Sequence, residues 1–392
     1  MKNGREPVVV GVADAPLEDG KFVTKASVLG HAALVAKAAV EEAGLKLSDV
    51  DGLLTAGMWG VPGPGQLATV TLGEYLGIMP TYVDGTNIGG SAFEAHVAHA
   101  AMALREGYCE VALIVYSSDQ KSLRSRNLGG RPSVLSMQHE TPFGMPTPVG
   151  GYAMAAQRHM HEYGTTSENL AEIAVATRKW AQLNPEATRR DPLSIDDVLS
   201  STMISEPLHL LDCCLVTDGA GAIVMTTAER AKDLNTRPVA VKGYGEAHTH
   251  WAIGEMPDLA RLLPAQKAGE RAMKMAGGSH SDIDLVEIYD SFTITVLLSL
   301  EALGFCKIGE GGDFVSGQRT APGGAFPMNT SGGGLSALHP GMFGMFLLIE
   351  AVRQLRDEAG ERQVKNARLG LAHNLGGQAA VSAVTVLGNE TS

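Results

Sequence analysis

The chain has 392 residues, 44% hydrophobic and 19% charged, a composition typical of a globular protein long enough for two domains. Its formal net charge of −12 argues against nucleic acid or an anionic membrane as a partner. We find no membrane-spanning apolar run, no signal-peptide pattern at the N-terminus, and no metal-site spacing among the four cysteines. These features predict a cytoplasmic protein without a metal site.

The first third of the chain alternates apolar β-branched runs with alanine-bearing segments of helical spacing. This pattern predicts strands at residues 8–13, 48–56, 81–84 and 110–117, and helices at residues 27–43, 66–76 and 89–104. Such alternation favours an α/β fold with a largely parallel sheet and right-handed crossovers.

The alternation is interrupted from about residue 119 to about residue 212, where the chain becomes polar. Helices are predicted inside this region at residues 148–163 and 167–183, so we interpret it as an inserted loop domain. Strand patterns resume at residues 219–226 and 239–244.

A short internal repeat relates the two ends of the chain. Ala43-Gly44, three residues and Ser48-Asp-Val-Asp51 match Ala276-Gly277, three residues and Ser281-Asp-Ile-Asp284. Each copy follows a helix pattern and enters an apolar strand, and a helix with a glycine-rich start comes later in each half. We therefore predict two βαβα halves, residues 1–237 and 238–392, packed as a pseudo-dimer with a site where equivalent helix N-termini meet.

The strongest functional pattern lies between residues 328 and 344. It contains three consecutive glycines, Gly332–Gly334, and places His339 directly before Pro340. Pro340 suits the first turn of the apolar helix that follows, so His339 is predicted at a helix N-terminus, where the dipole disfavours imidazolium. A ligand could approach such bare backbone, and Gly333 and Gly334 are candidate substrate contacts. The alternative is a packed or capping histidine.

Several segments resemble the thiolase superfamily. Gly333-Gly-Leu-Ser-Ala-Leu-His-Pro-Gly341 is similar to the Gly-His-Pro motif of thiolases, His373-Asn-Leu-Gly-Gly377 resembles a segment near their C-terminus, and residues 206–219 resemble the end of the family's insertion. The resemblance covers nearly the whole chain. It is strongest to the bacterial branch related to sterol-carrier-protein-associated thiolases, often called lipid-transfer-like proteins.

This resemblance implies the five-layered αβαβα thiolase fold and a coenzyme A thioester as substrate, with no tightly bound cofactor. It also implies a homodimer. Several relatives work with a small partner protein that carries a zinc ribbon and an OB-fold, so such a partner is a further expectation.

The chain departs from the family at the nucleophile. Thiolases place a cysteine at the start of the buried helix of the first half, and that position falls on Gly89 here. Ser91 lies two residues on and would need a base in contact, and a hydrogen bond to the first helical turn is its alternative role. The second thiolase cysteine matches Asn374, and the four cysteines present are interpreted as packing residues. Substrate contacts are expected at Gly89, Gly90, Gly376 and Gly377.

One further segment, Val286-Glu-Ile-Tyr-Asp-Ser-Phe-Thr293, occupies the place of the thiolase Asn-Glu-Ala-Phe segment. Tyr289 replaces the residue that would hold a catalytic water. Steroid side-chain aldolases of this branch resemble the chain here, and they cleave a β-hydroxyacyl-CoA by retro-aldol chemistry without a nucleophile. That reaction needs a base for the β-hydroxyl and donors for the thioester enolate, and Tyr289 and His339 are the candidates. A buried tyrosine that donates to backbone is the alternative.

Three functions therefore stay open. The first is a carbon–carbon lyase of the retro-aldol kind in lipid or steroid side-chain catabolism, with Tyr289, His339 and Asn374 in its site. The second is a Claisen-type acetyl-CoA acyltransferase, for which an acylated Ser91 would be diagnostic. The third is a non-catalytic subunit that binds acyl-CoA.

Overall fold

The apolar runs of the sequence form one large sheet in the computed structural model, which describes residues 5–58, 67–123, 138–145 and 148–389. The strands of this part of the chain are β1 (Pro7–Asp14), β2 (Leu17–Glu18), β3 (Lys21–Phe22), β4 (Gly52–Leu54), β5 (Tyr82–Asp84), β6 (Ala112–Ser118), β7 (Met203–Ser205), β8 (Leu208–His209), β9 (Gly219–Thr227), β10 (Val239–His248), β11 (Leu285–Ile288), β12 (Leu369–Gly376) and β13 (Val381–Gly388).

The helices of the same part of the chain are α1 (Val28–Glu42), α2 (Ala68–Leu76), α3 (Ala92–Glu106), α4 (Val149–Tyr163), α5 (Ser167–Leu183), α6 (Ile195–Ser200), α7 (Ala228–Ala231), α8 (Leu263–Ala276), α9 (Thr293–Ala302), α10 (Gly311–Val315) and α11 (Gly344–Leu355). Residue 66, the predicted start of α2, and residues 124–137 and 146–147 of the predicted insertion lie outside the described residues. Among the described helices, none is long and apolar enough to cross a membrane.

The central sheet of the described residues has nine strands in the order β11-β12-β13-β10-β1-β9-β6-β4-β5. Only β4–β5, β4–β6 and β11–β12 pair in parallel among these described strands, and the other neighbours are antiparallel. The prediction of a largely parallel sheet is therefore wrong. The reason is that β9 and β13 run back antiparallel in each half, and β13 follows β12 after a turn too short for a parallel crossover.

The two predicted halves share one strand order. The first half reads β1-β9-β6-β4-β5 and the second reads β10-β13-β12-β11, and the two meet where β1 pairs with β10. The last aspartates of the sequence repeat have equivalent bonds. The Asp51 carboxylate accepts the N–H groups of Glu110 and Val111 directly before β6, and Asp284 accepts those of Arg368 and Leu369 at the start of β12. The repeat is thus confirmed in space, whereas the boundary at residues 237 and 238 stays a prediction.

The insertion packs against the second half near the end of α9. The imidazole Nε2 of His159 on α4 lies 3.1 Å from both oxygens of the Glu301 carboxylate on α9, and both side chains are buried. On α5, the indole of Trp180 donates to the carbonyl of Thr320 at 2.8 Å. These contacts hold the two inserted helices over the second half.

A buried polar network connects β11 to α11. The Thr330 hydroxyl lies 2.8 Å from Glu287 Oε1, 2.7 Å from Glu350 Oε1 and 3.0 Å from the Gln354 amide nitrogen. A hydroxyl has one proton, and the amide nitrogen can only donate, so one of the two carboxyl groups must also donate to Thr330. Glu350 is paired with the Arg362 guanidinium at 2.9 Å, which leaves the proton on Glu287.

The electrostatic environment agrees with this assignment. Burial, and then the Glu350 carboxylate, raise the pKa of Glu287 well above its ordinary value. Burial opposes the ionisation of Glu350, but the Arg362 guanidinium lowers the pKa of Glu350 overall. The hydrogen-bond geometry and the raised pKa therefore both place the shared proton on Glu287.

We expect Glu287→Gln to change how stability depends on pH. The native chain keeps a proton on Glu287 that the unfolded chain releases above about pH 4.3, so this group makes folding less favourable as pH rises toward its native pKa. Glutamine keeps the donor and has no proton to lose. The melting temperature of the variant relative to the parent should therefore rise as the pH is raised above about 4.3. The exposed control Glu41→Gln should follow the parent, and equal slopes for parent and Glu287→Gln would show that Glu287 is ionised when folded.

Candidate active site

The segment before α11 differs from its prediction. α11 begins at Gly344, so Pro340 lies outside its first turn and His339 lies five residues before the helix. Gly341 has a φ of 88°, which interrupts any helical run from Pro340. The Tyr116 hydroxyl holds this loop in place, since it donates to the Pro340 carbonyl at 2.5 Å and accepts the Met342 N–H at 3.3 Å.

Tyr289 and His339 form a direct hydrogen-bonded pair. The Tyr289 hydroxyl lies 2.9 Å from His339 Nε2, and the ring centroids are 5.4 Å apart at an interplanar angle of 28°. Tyr289 follows β11 directly, as predicted, and its N–H donates to the His373 carbonyl. Each side chain is only 8% exposed, so a proton can pass between them in a site that largely excludes water.

Burial keeps both members of this pair neutral. It raises the pKa of the Tyr289 phenol, with further contributions from Cys214 and Tyr152. Burial also lowers the pKa of His339 to about 4. The predicted neutral imidazole is therefore present, but burial and not a helix dipole is its cause.

The three glycines before His339 make room for protein atoms. A Cβ on Gly332 would lie 2.6 Å from Ala181 Cβ, and one on Gly333 would overlap the Asp290 carboxylate. A Cβ on Gly334 would lie 2.9 Å from Asp290 Oδ1. Asp290 thus occupies the side-chain directions of Gly333 and Gly334, and their role as substrate contacts stays a prediction.

A second cluster joins the two halves through backbone contact. A Cβ on Gly376 would overlap the Ile88 carbonyl, and one on Gly90 would overlap the Asn374 side chain. Gly89 has a φ of 69°, and its Cβ would lie 2.9 Å from Gly376 Cα. These three glycines therefore allow close packing between the halves. Gly377 is less crowded, since the nearest atom to a Cβ placed on it would be the Ala380 methyl group, 3.1 Å away.

Ser91 and Asn374 belong to this second cluster. Asn374 lies inside β12, and both polar atoms of its buried side chain lack a partner among the described residues. The Ser91 hydroxyl is fully buried and donates to the Asn374 carbonyl at 2.9 Å, with the Val381 carbonyl at 3.3 Å. It therefore bonds across the two halves and not to the first turn of its own helix.

The N-termini of α3 and α11 meet between these two clusters, as the sequence repeat predicted. A Cβ on Gly344, the first residue of α11, would lie 2.6 Å from the Gly90 carbonyl. Directly before it, the ring of Phe343 lies 6.2 Å from that of Tyr289 and 5.8 Å from that of His339. The catalytic candidates from both halves thus lie on neighbouring elements.

The sequence did not point to two neighbours of Tyr289, Tyr152 and Cys214. The insertion supplies Tyr152 on α4, whose ring lies 4.7 Å from that of Phe292 and whose oxygen accepts the Ala379 N–H. Cys214, interpreted as a packing residue, is close enough to raise the pKa of both phenols. A tyrosine in a helix pattern and a cysteine in a loop have no spacing that marks a site. Across the described ranges, no cluster of three or more histidine, cysteine or acidic side chains could hold a metal ion.

Comparisons with known proteins agree with this geometry. Residues 245–389 match the family model described as "Thiolase C-terminal domain-like". The chain is 33% identical to the acetyl-CoA acetyltransferase of Methanothermobacter thermautotrophicus, over 97% of this chain and 99% of that protein. It is 35% identical to the 17-hydroxy-3-oxo-4-pregnene-20-carboxyl-CoA lyase of Mycobacterium tuberculosis, over 91% of this chain and 92% of that protein.

Among solved structures, the "Ltp2-ChsH2(DUF35) aldolase" is similar with a TM-score of 0.87 and 31% identity, over 98% of each chain. Relatives above 30% identity cover the chain over nearly its full length, and one of them shares its fold. The structure itself has two repeated halves whose helix N-termini meet. The chain therefore belongs to the thiolase superfamily and is one of its enzymes.

Proposed function

We propose that this enzyme is a carbon–carbon lyase that cleaves a β-hydroxyacyl-CoA by a retro-aldol reaction. The observation that carries the proposal is the buried hydrogen bond between Tyr289 and His339, which can relay a proton between substrate and imidazole. Gly89 at the expected position of the nucleophile supports it. The names of two similar proteins, a carboxyl-CoA lyase and an aldolase, support it as well.

The reaction begins with proton transfer through the pair. The Tyr289 oxygen takes the proton of the substrate β-hydroxyl while the phenol proton passes to His339 Nε2, so neither group has to ionise before substrate binds. The electrons of the broken O–H bond form the ketone, and the Cα–Cβ bond breaks to leave the thioester enolate. The proton then returns through Tyr289 to Cα, and the enzyme regains its starting state.

The enolate needs hydrogen-bond donors on its oxygen. Asn374 is our candidate, because its amide is buried at the contact between the halves and its nitrogen has no partner among the described residues. The positive charge of the imidazolium formed transiently on His339 would also stabilise the negative enolate. The acyl group of the substrate would be that of a lipid or steroid side chain, as the name of the mycobacterial relative suggests.

A Claisen-type acyltransferase is the second candidate. The observation that favours it is the 33% identity to an archaeal acetyl-CoA acetyltransferase over nearly the full length of both chains. That chemistry requires a covalent acyl acceptor. Ser91 is a poor one, since its hydroxyl is inaccessible and its proton is used in a bond to backbone.

We also propose two kinds of protein partner. A second copy of the chain would dock at the edge strand β5, where Val83 is 52% exposed, and at Met79 just before this strand, which is 94% exposed. The name of the similar Ltp2-ChsH2(DUF35) aldolase includes a second component, which supports the expected small zinc-ribbon and OB-fold partner.

Removing the Tyr289 hydroxyl is the direct test of the lyase. Tyr289→Phe should fold normally and bind acyl-CoA, yet lose on the order of 10²-fold or more in cleavage rate, the usual scale for a general acid–base group. His339→Ala should lose a comparable factor in cleavage rate, because the proton of the Tyr289 phenol then has no acceptor. Product formation from β-hydroxyacyl-CoA thioesters measures both losses. Wild-type turnover in a stable Tyr289→Phe protein would refute the lyase mechanism.

Ser91→Ala separates the two candidate functions. The variant should lose about 1 kcal/mol of stability, because the buried Asn374 carbonyl loses its donor, and should keep most of its turnover. Incubation of the wild-type enzyme with labelled acyl-CoA should leave no label on the denatured protein. A stable mass increase on Ser91, with loss of turnover in Ser91→Ala, would instead establish acyl transfer.

A further inference from the structure

We propose that Asp290 is a positioning residue that sets the distance between Tyr289 and His339 by anchoring the glycine turn in front of His339. This inference rests on the proposed function for its catalytic readout. It concerns a residue that the sequence comparison with thiolases left without a role.

The Asp290 side chain is fully buried and contacts the turn through both of its oxygens. Oδ1 accepts the Gly334 N–H at 2.6 Å, and Oδ2 accepts the Leu335 N–H at 3.1 Å. Residue 333 must be glycine for this contact, because a Cβ on Gly333 would overlap the Asp290 carboxylate. The carboxylate therefore fits against bare backbone on one side of the turn.

The anchored turn leads directly to His339. Residues 333–337 are wound loosely, with the Ala337 N–H bonded to the Gly332 carbonyl and the Leu338 N–H bonded to the Gly333 carbonyl, each across five residues. Such π-type turns are rare and need support from outside. The position of a Cβ on Gly334 lies only 3.2 Å from His339 Cδ2, so a shift of the anchored residue would move the imidazole.

The far end of the segment has separate supports. The Arg178 guanidinium donates to the Ser336 hydroxyl at 2.8 Å, and the Thr217 hydroxyl accepts the His339 N–H at 2.9 Å. Asp290 holds the glycine end. Since Asp290 follows Tyr289 in the chain, the strand end that carries the phenol also holds the turn that carries its imidazole partner.

The anchor requires a carboxylate. Burial raises the pKa of Asp290 to about 6, while the Gly334 and Leu335 N–H groups oppose that rise, so the group is ionised at neutral pH. An ionised carboxylate accepts at both oxygens, whereas an amide accepts at one atom and donates at the other. In Asp290→Asn, an N–H group would therefore face a backbone N–H, and one anchoring bond would be lost.

The test compares Asp290→Asn with Asp284→Asn. Asp284 lies at the other end of the same strand, and its carboxylate also accepts two backbone N–H groups, those of Arg368 and Leu369. We expect Asp290→Asn to lower kcat by on the order of 10-fold to 10²-fold, the cost of a small misplacement of reacting groups, with acyl-CoA Kd within about threefold of wild type. Asp284→Asn should lower the melting temperature and leave kcat unchanged.

Two further variants make the role specific. Adding Asp290→Asn to Tyr289→Phe should cost little beyond Tyr289→Phe alone, because the positioning residue acts through the pair that the phenol completes. Gly334→Ala keeps the carboxylate but inserts a methyl group between Asp290 and His339, and it should reduce kcat in the same way. This second variant serves if Asp290→Asn does not fold.

Hydrogen exchange provides a readout that does not depend on the reaction. Amide protons of residues 334–338 should exchange faster in Asp290→Asn and at the parent rate in Asp284→Asn. Faster exchange with no effect of Tyr289→Phe on turnover would reject the proposed function and retain the anchor. Unchanged kcat and unchanged exchange in folded Asp290→Asn would overturn the inference, as would fully additive losses in the double variant.

Discussion

The contact between the two halves is the constraint on which the site depends. The loop before α3 and the end of β12 approach so closely that Gly376 cannot carry a Cβ against the Ile88 carbonyl. This approach places the Asn374 side chain over Gly90 and lets the Ser91 hydroxyl bond to the Asn374 carbonyl. Because close backbone-to-backbone contact tolerates little movement, it restricts the relative position of the halves beside Ser91 and Asn374.

Burial then determines the electrostatics of the site. A phenol and an imidazole that both stay neutral make a hydrogen bond without the cost of an isolated buried charge. The full charge on the neighbouring Asp290 is stabilised by two N–H groups of the glycine turn. In the same half, Glu287 avoids a second buried charge by keeping its proton toward Thr330. Glu287 and Asp290, the two buried acids near Tyr289 in the chain, thus differ in ionisation because their hydrogen-bond partners differ.

Local patterns predicted the elements well and the pairing of strands poorly. The repeat around Asp51 and Asp284 revealed the two halves because each aspartate has the same bonding task. Alternation of strands and helices cannot show that β9 and β13 run back antiparallel, since direction depends on long-range pairing. The glycines near His339 marked the right place, but a sequence cannot show whether a ligand, Asp290 or Ala181 fills the space beside them. Tyr152 reaches the site only because the insertion folds over the second half.

The two candidate reactions differ in the groups that the protein must hold or transfer. Both pass through a thioester enolate, so both need the same donors at the same place in the fold. Claisen cleavage must also store an acyl group on the protein, whereas retro-aldol cleavage releases a ketone and needs only to move one proton from oxygen to carbon. A glycine with positive φ at the expected nucleophile offers no atom for the first task. A phenol that is hydrogen-bonded to a neutral imidazole is suited to the second.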